Sequence, residues 1–314
     1  MKLKLSLTVA LLVIVFINTG YPQLGYEGQV LVTRNLMNYN FLGGGARARA
    51  MGGAFFAVSD DPSAATWNPA GLVQMDKYQM GMALSFLNPK SDYTTTYELE
   101  TLSPFDNSLK QSKSVLSYGS VVIPFTLFKK EMVGSVAYNR LADLYDERVY
   151  NGLGEVVFSS GEFVDTLRVG DLNEDIKGGL NQLVLSLGTK AYKDFSFGLG
   201  INIYTGSYEY NGSQYLDLTW DAVADTSVRY RPYIKGSYSG VNFTFGSMFK
   251  YEGLRLGAVV KTPFKLKEKD DVNLEWDFIV QDVVNPYSVQ NGVYFPTEYQ
   301  QKWEIPLVIG FGAS

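Results

Sequence analysis

The chain has 314 residues, is rich in aromatic side chains (22 Tyr and 19 Phe), and carries 19% charged residues with a formal net charge of −5. Without a basic cluster, this balance gives a nucleic-acid partner no electrostatic support. The lack of any Cys or His excludes a disulfide framework, a structural zinc site and Ser-His-Asp catalysis.

Residues 1–22 are predicted to be a secretory signal peptide. A positively charged start precedes an apolar run over 5–16, which suits an h-region and is short for a membrane span. An uncleaved membrane anchor is the alternative. We place the cleavage site between Gly20 and Gln23. No later segment is apolar for long enough to form a membrane-spanning helix, so the sequence excludes a helical inner-membrane protein.

Residues 23–76 are predicted to form a small N-terminal hatch, or plug. Its centre, 43–72, reads GGGARARAMGGAFFAVSDDPSAATWNPAGL, which is too small for a domain and too regular for a linker. Pro62 suits the first position of a helix that Asp60 or Asp61 would cap.

A second short turn is predicted at Pro69–Leu72. Pro69 moves Asn68 out of the helical region, and the Asn68 side chain can then cap the turn. Two short helical turns joined by a break are typical of a compact hatch rather than of an extended strand.

From Lys77 onward the sequence alternates with the period of two that is typical of strands. One face is apolar and the other is polar or glycine-rich, as in FSFGLGINI at 195–203. We count eight such runs, at about 79–86, 113–126, 131–143, 183–190, 194–210, 241–246, 254–261 and 303–312.

The connections favour a membrane barrel over a soluble sandwich, which is the alternative. Short connections are predicted at 127–131, 192–194 and 250–253, and long polar ones at 88–112, 144–178, 211–231 and 269–300. This alternation is typical of outer-membrane barrels with short periplasmic turns and long external loops. Tyrosines near the long loops are predicted to lie at headgroup level: Tyr93, Tyr97, Tyr204, Tyr208, Tyr210, Tyr230, Tyr233 and Tyr238.

Eight strands conflict with a hatch inside the barrel. An eight-stranded barrel is just filled by its own side chains, so a barrel that holds the hatch needs more strands. The chain also stops at Ser314, directly after a strand and without the terminal aromatic residue common in such barrels. We therefore expect residues 77–314 to be a barrel wall truncated at its C-terminus.

Three hatch motifs carry a resemblance to a known family: GARARAMGGA at 45–54, AVSDDPSAA at 57–65 and WNPAGL at 67–72. Together with TPF at 262–264 and a strand that contains Pro306, they resemble the FadL family of outer-membrane transporters. The resemblance implies an all-β fold, a transmembrane antiparallel β-barrel of fourteen strands with a small N-terminal helical plug in its lumen. About eight of those strands are present here.

The resemblance implies passive uptake of long-chain fatty acids or other hydrophobic small molecules across a bacterial outer membrane. Ligand is captured among external loops, enters an apolar lumen pocket, and leaves through a gap in the wall when the hatch shifts. The expected partners are that ligand, outer-membrane lipid and lipopolysaccharide. The protein is expected to be a monomer without enzymatic activity, cofactor or metal. The alternative is a FadL-like accessory or carrier barrel of a protein-secretion system.

The candidate plug or gate residues are Gly52, Gly53, Asn68, Pro69 and Ala70. Of these, Asn68-Pro69-Ala70 matches the family's hatch motif residue for residue. The favoured reading is a structural role in which Asn68 and Pro69 end one turn and begin the next, and this role is compatible with gating.

Arg47 and Arg49 are candidate contacts for a fatty-acid carboxylate, because a guanidinium binds carboxylates with two parallel hydrogen bonds. The favoured alternative is that they pair with Asp60, Asp61 or carboxylates of the wall. Phe55 and Phe56 are candidate contacts for a hydrophobic ligand, and the favoured alternative is that they pack the hatch.

Two other chemistries are rejected. The run Asp171–Asp175 begins like a calcium-binding loop, but Ile176 and Gln182 stand where that loop requires Gly and Glu, so we predict a solvated acidic loop. An outer-membrane phospholipase is disfavoured because the chain has no His to act as general base.

Overall fold

The computed structural model describes residues 43–87, 90–95, 105–110, 113–150, 154–160, 163–220, 224–282, 288–290 and 295–314. All of them belong to one unit, Asn40–Ser314. The predicted signal peptide and the first part of the predicted hatch lie outside the described residues.

We call residues 43–76 the hatch segment. It contains helices α1 (Ala46–Ala50) and α2 (Ala64–Trp67) and a 3-10 helix (Pro69–Gln74). The predicted cap of the second turn is confirmed, because Asn68 is extended and its Oδ1 accepts from the Ala70 N–H at 3.1 Å.

The predicted helix start is two residues too early, whereas the prediction that Asp60 or Asp61 accepts a backbone N–H is confirmed for Asp61. Helix α2 begins at Ala64 rather than at Pro62. Asp61 Oδ1 accepts from the backbone N–H and the hydroxyl of Ser63, so this carboxylate fixes a turn ahead of the helix instead of capping the helix itself.

The strands are β1 (Gln79–Leu87), β2 (Lys90–Thr95), β3 (Phe105–Lys110), β4 (Lys113–Leu127), β5 (Lys130–Asp143), β6 (Asp146–Tyr150), β7 (Gly154–Ser160), β8 (Phe163–Tyr192), β9 (Phe195–Trp220), β10 (Ala224–Tyr251), β11 (Leu254–Lys261), β12 (Phe264–Asp282), β13 (Ser288–Gln290), β14 (Phe295–Ile305) and β15 (Val308–Ala313). Among these described strands, thirteen form one sheet, and β2 pairs with β3 apart from it. Every strand pair is antiparallel.

The main path of the sheet runs β1-β4-β5-β8-β9-β10-β11-β15, which is the order of these strands in the chain. Each of the eight predicted runs lies in this path or in β14, which leads into β15. Strand β12 continues beyond β11 and pairs with β14. Within the described residues, the outermost strands β1 and β15 do not pair with each other, so the fold is stated as a large antiparallel sheet.

The three predicted short connections are confirmed as two-residue turns. They lie at 128–129, 193–194 and 252–253, and Phe128, Lys129, Lys193 and Glu252 have positive φ values of 50°, 62°, 33° and 48°. Such values let the turn follow the twist of the two strands that it joins.

Three of the predicted long loops are wrong, because most of their residues are in strands. Strand β8 pairs with β9 as far as Asp165↔Trp220, and β9 then pairs with β10 from Ala224↔Trp220. The predicted acidic loop likewise lies within β8. In one of these segments the alternation is present in the sequence, since apolar residues occupy every second position from Val272 to Val280. Elsewhere it is less regular, and the backbone ladder needs no apolar face to continue.

The two faces of the sheet differ in polarity. We call the face that contacts the hatch segment the inner face, and the opposite one the outer face. Phe197 is 51% exposed on the outer face, whereas the neighbouring Ser196 is 5% exposed on the inner face. Large apolar side chains are exposed along the outer face of the main path: Met80, Met82, Leu84, Phe86, Leu116, Val121, Ile123, Phe125, Val136, Leu183, Leu185, Phe197, Leu199, Val241, Phe243, Phe245, Leu254, Leu256, Val260, Ile309 and Phe311.

Candidate functional site

The candidate site is the contact between the hatch segment and the inner face. At its centre, a Cβ atom on Gly198 would lie 2.2 Å from Pro69 C, and one on Gly246 would lie 2.2 Å from Asn68 Oδ1. Only glycine at these two positions lets the hatch backbone come so close to the strands. The sequence showed the glycines in the alternation but not what they face.

Asn68 joins the two parts of the site. Its Nδ2 donates to Phe56 O at 2.8 Å within the hatch and to Ser247 O at 3.1 Å in β10, while its Oδ1 accepts from Ala70 N–H. Asn68 and Ala70 are fully buried. The predicted group Asn68-Pro69-Ala70 therefore lies at the interface, with its polar atoms paired.

The hatch segment reaches from one outermost strand of the path to the other. Near β1, a Cβ on Gly81 would lie 3.1 Å from Pro62, whose carbonyl accepts from Tyr118 OH at 2.8 Å. At β15, a Cβ on Gly310 would lie 2.4 Å from the ring of Phe56. The inner face is thus occupied across its whole width at this level, which we call the hatch level.

Two donors of the sheet bind the C-terminal carbonyls of α2. Lys261 Nζ donates to Thr66 O at 3.1 Å, and Ser186 Oγ donates to Ala65 O at 2.9 Å. A helix C-terminus carries carbonyls without helical partners and a partial negative charge, so both contacts are favourable. Lys261 is 2% exposed and was missed as a site residue. The sequence did contain a signal for it, because Lys261 lies on the polar side of the alternation in 254–261.

Arg47 pairs with carboxylates of the hatch, as the favoured alternative predicts. Its Nη1 bonds to Asp60 Oδ1 and lies 3.7 Å from Asp61 Oδ2. The hydrogen bond and charge of Asp60 raise the pKa of Arg47 above its ordinary value, so the guanidinium stays protonated. Asp60 also accepts from Arg255 Nη1 of β11 at 3.4 Å. Arg49 is exposed, and the fatty-acid contact proposed for both arginines stays a prediction.

Gly52 and Gly53 end α1 rather than touch the sheet. Both have positive φ, 64° and 82°, and Gly53 N–H bonds to Ala48 O at 2.9 Å. This left-handed turn brings the chain back so that Phe55 packs against Trp67, with ring centroids 6.2 Å apart. Phe55 is fully buried in this small core, which is the packing role given as its alternative.

A chain of side-chain amides, which we call the amide ladder, crosses the inner face next to the hatch level. Asn139 Nδ2 donates to Gln182 Oε1 (3.2 Å), Gln182 Nε2 to Asn202 Oδ1 (3.1 Å), Asn202 Nδ2 to Asn242 Oδ1 (2.8 Å), and Asn242 Nδ2 to Thr262 O (3.1 Å). These four side chains are almost fully buried. The ladder links β5, β8, β9 and β10 to the end of β11.

Beyond the amide ladder, tyrosines fill the inner face, and we call this the tyrosine level. Tyr204, Tyr208, Tyr210, Tyr230 and Tyr238 are all at most 6% exposed, so their predicted place at the lipid headgroups is wrong. Their hydroxyls meet buried polar groups instead, in the pairs Tyr208–Asp270, Tyr210–Glu174 and Tyr238–Glu268 at 2.8, 3.0 and 3.1 Å. These tyrosines stand at even-numbered positions, as Asn202 does, so the period of two places them on the same face as Asn202. This was the signal in the sequence for the inner face.

A groove of about 670 Å³ opens between β9, β10, β11 and β15, lined chiefly by Phe195, Phe249, Leu256 and Phe311. Most of its lining belongs to the outer apolar face. The groove is therefore part of that face rather than of a space between the sheet and the hatch segment.

In the described part of the chain, no helix is both long and apolar enough to cross a membrane. The same residues contain no group of three or more Asp or Glu side chains placed to hold a metal ion. Comparison of the chain with protein-family models, curated proteins and solved structures finds no match.

Proposed function

We propose that the chain is an outer-membrane β-barrel protein of FadL type that takes up long-chain fatty acids or other hydrophobic small molecules passively, with the hatch segment as its plug. The supporting observation is the polarity of the sheet, with an apolar outer face and a polar, glycine-lined inner face. A soluble sandwich buries its apolar faces against each other, whereas a barrel in lipid exposes them.

The contacts of the hatch segment are consistent with a plug that is docked on the sheet. Hydrogen bonds from Lys261, Ser186 and Asn68 and close glycine contacts join it to the inner face. Leu72 and Met75 also share a buried apolar cluster with the sheet, so a shift of the segment has to expose this apolar surface as well as exchange the hydrogen bonds.

The test is uptake of radiolabelled oleate by Gram-negative cells that lack their own long-chain fatty-acid transporter and express the full chain. We expect outer-membrane fractionation and uptake above that of cells with an empty vector. Leu185→Arg places a charge on the outer face and is expected to cost about 2–4 kcal/mol in the bilayer, which removes the protein from the membrane fraction. Leu185→Phe is the apolar control and is expected to insert.

Recovery of both Leu185 variants from the soluble fraction would refute the membrane assignment. Normal insertion without oleate uptake, together with a stable complex between the protein and a secreted cargo, would favour the secretion role instead.

A further inference from the structure

The three short turns of the sheet share a feature. Each places an aromatic side chain directly beside an exposed lysine, in the pairs Phe128-Lys129, Tyr192-Lys193 and Lys250-Tyr251. The three aromatic side chains are 89%, 68% and 55% exposed. Aromatic rings and the long apolar stems of lysines both suit the boundary between the hydrocarbon of a bilayer and its headgroups.

Two of these turns are joined to each other and to the groove of the outer face. The Lys250 N–H donates to Asp194 O at 2.9 Å, which links the second short turn to the third. From the third turn a row of rings runs into the groove. Tyr251 and Phe249 are nearly parallel with ring centroids 6.4 Å apart, and Phe249 lies 4.6 Å from Phe195. The groove and the two turns therefore form one continuous surface.

Small side chains between larger ones form the groove. Ser247 of β10 lies opposite Ala258 of β11, and Ala313 of β15 lines the same space. They leave about 670 Å³ open beside Phe249 and Phe311, within the range of about 300–1,000 Å³ that is usual for ligand sites. The described lining contains no charged side chain, which suits a hydrocarbon chain.

Positive charge is in excess where the groove meets the two turns. Lys190, Lys193 and Lys250 are exposed there, against the exposed Asp194 and Glu252. Lysines at a membrane surface attract anionic lipids. A second copy of this surface would instead bring the same positive excess against it, which disfavours self-association.

We propose that this surface binds one anionic phospholipid of the bilayer, with an acyl chain in the groove and the phosphate of the headgroup at Lys193 and Lys250. The inference rests on the membrane placement in the proposed function and not on transport. It adds a lipid site on the outer face, at the end of the sheet that carries the short turns.

Native mass spectrometry of the full chain in detergent tests the site, with dioleoyl phosphatidylglycerol and dioleoyl phosphatidylethanolamine added at equal concentration. The wild type is expected to retain the anionic lipid in preference to the zwitterionic one. Lys193→Gln/Lys250→Gln is expected to weaken binding of phosphatidylglycerol about thirtyfold, which is the attraction of two lysines for an anionic lipid. Lys129→Gln/Lys130→Gln removes the same charge at the first short turn, whose residues do not line the groove, and is expected to bind as the wild type does.

Two single variants separate the chain site from the headgroup site. Ala258→Phe fills the groove and is expected to weaken the binding of both lipids. Glu252→Gln removes an acidic charge beside the lysines and is expected to tighten the binding of phosphatidylglycerol, a gain that misfolding cannot produce. Unchanged affinity in Glu252→Gln would refute the electrostatic role of the turns.

The outcomes distinguish this site from the proposed function. Recovery of the wild-type chain from the soluble fraction refutes both. An inserted protein that retains phosphatidylglycerol but takes up no oleate supports the site and refutes transport. Equal retention of the two lipids, or an equal loss in the two double-lysine variants, refutes the site alone. Dimers that Ala258→Phe disrupts, without any retained lipid, would show that a second copy occupies the groove and would refute the lipid.

Discussion

The hatch level and the tyrosine level use the same strands to solve opposite packing problems. At the hatch level, β9 and β10 present Gly198 and Gly246, because another part of the chain fills the space. At the tyrosine level, the same strands present Tyr208 and Tyr238, whose rings fill the space themselves. Residue size along one face of a strand therefore records what lies against that face.

The levels also differ in how their contacts are distributed. Hatch-level bonds join the hatch segment to the sheet, as in the bond from Asn68 to Ser247, whereas tyrosine-level bonds join one strand of the sheet to another, as in Tyr208 to Asp270. A change at the hatch level should therefore release the hatch segment, and a change at the tyrosine level should loosen the sheet alone.

The largest effect is expected for Asn68→Asp. A carboxylate cannot donate to the Phe56 and Ser247 carbonyls that Asn68 now binds, and leaving them unpaired is expected to cost roughly 2–4 kcal/mol. Hydrogen exchange should show faster exchange at Ala70 N–H, with the tyrosine-level strands unchanged. Asn211→Asp, at an exposed position of β9, is the control, and equal exchange in the two variants would contradict the anchoring role of Asn68.

An intermediate effect is expected for Gly198→Ala. The new Cβ would overlap Pro69 and Ala70, and such overpacking costs about 1–3 kcal/mol. Limited proteolysis should cut the hatch segment faster. Gly119→Ala is the matched control, since a Cβ there meets nothing within 4 Å. If Gly198→Ala resists proteolysis as well as the wild type, the docking of the hatch segment does not depend on the close approach of its backbone to the strands.

The smallest effect is expected for Tyr208→Phe. It removes one donor from the buried carboxylate of Asp270, at a cost of about 1–2 kcal/mol, while proteolysis of the hatch segment stays at the wild-type rate. Thermal unfolding measures the loss. Tyr192→Phe, at a position 68% exposed, is the control. Faster cleavage of the hatch segment in Tyr208→Phe would contradict the claim that a change at the tyrosine level loosens the sheet alone.

Local rules predicted the parts that depend on local chemistry. The cap by Asn68, the two-residue turns and the eight alternating runs follow from proline geometry, turn conformation and period two, all of which act over a few residues. The structure contains each of them.

The errors have a common cause, which is that polarity alone does not say what lies across the sheet. Tyr210 suits a headgroup by composition, yet its hydroxyl meets Glu174 on the next strand. Lys261 stood on the polar side of its strand, but its partner Thr66 is distant in the chain. Both assignments require the register between strands, which the residues of one strand do not contain.

The order of the strands has a consequence for how the molecule folds. Four of the seven pairs along the described main path, β4-β5, β8-β9, β9-β10 and β10-β11, join strands that are consecutive in the chain. Much of the sheet can therefore form hairpin by hairpin at low entropic cost. The bond from Asn68 to Ser247 instead spans 179 residues, and that from Lys261 to Thr66 spans 195. The hatch segment is made before any strand, yet it cannot gain these bonds until β10 and β11 are in place. It is therefore expected to be the last part of the unit to dock.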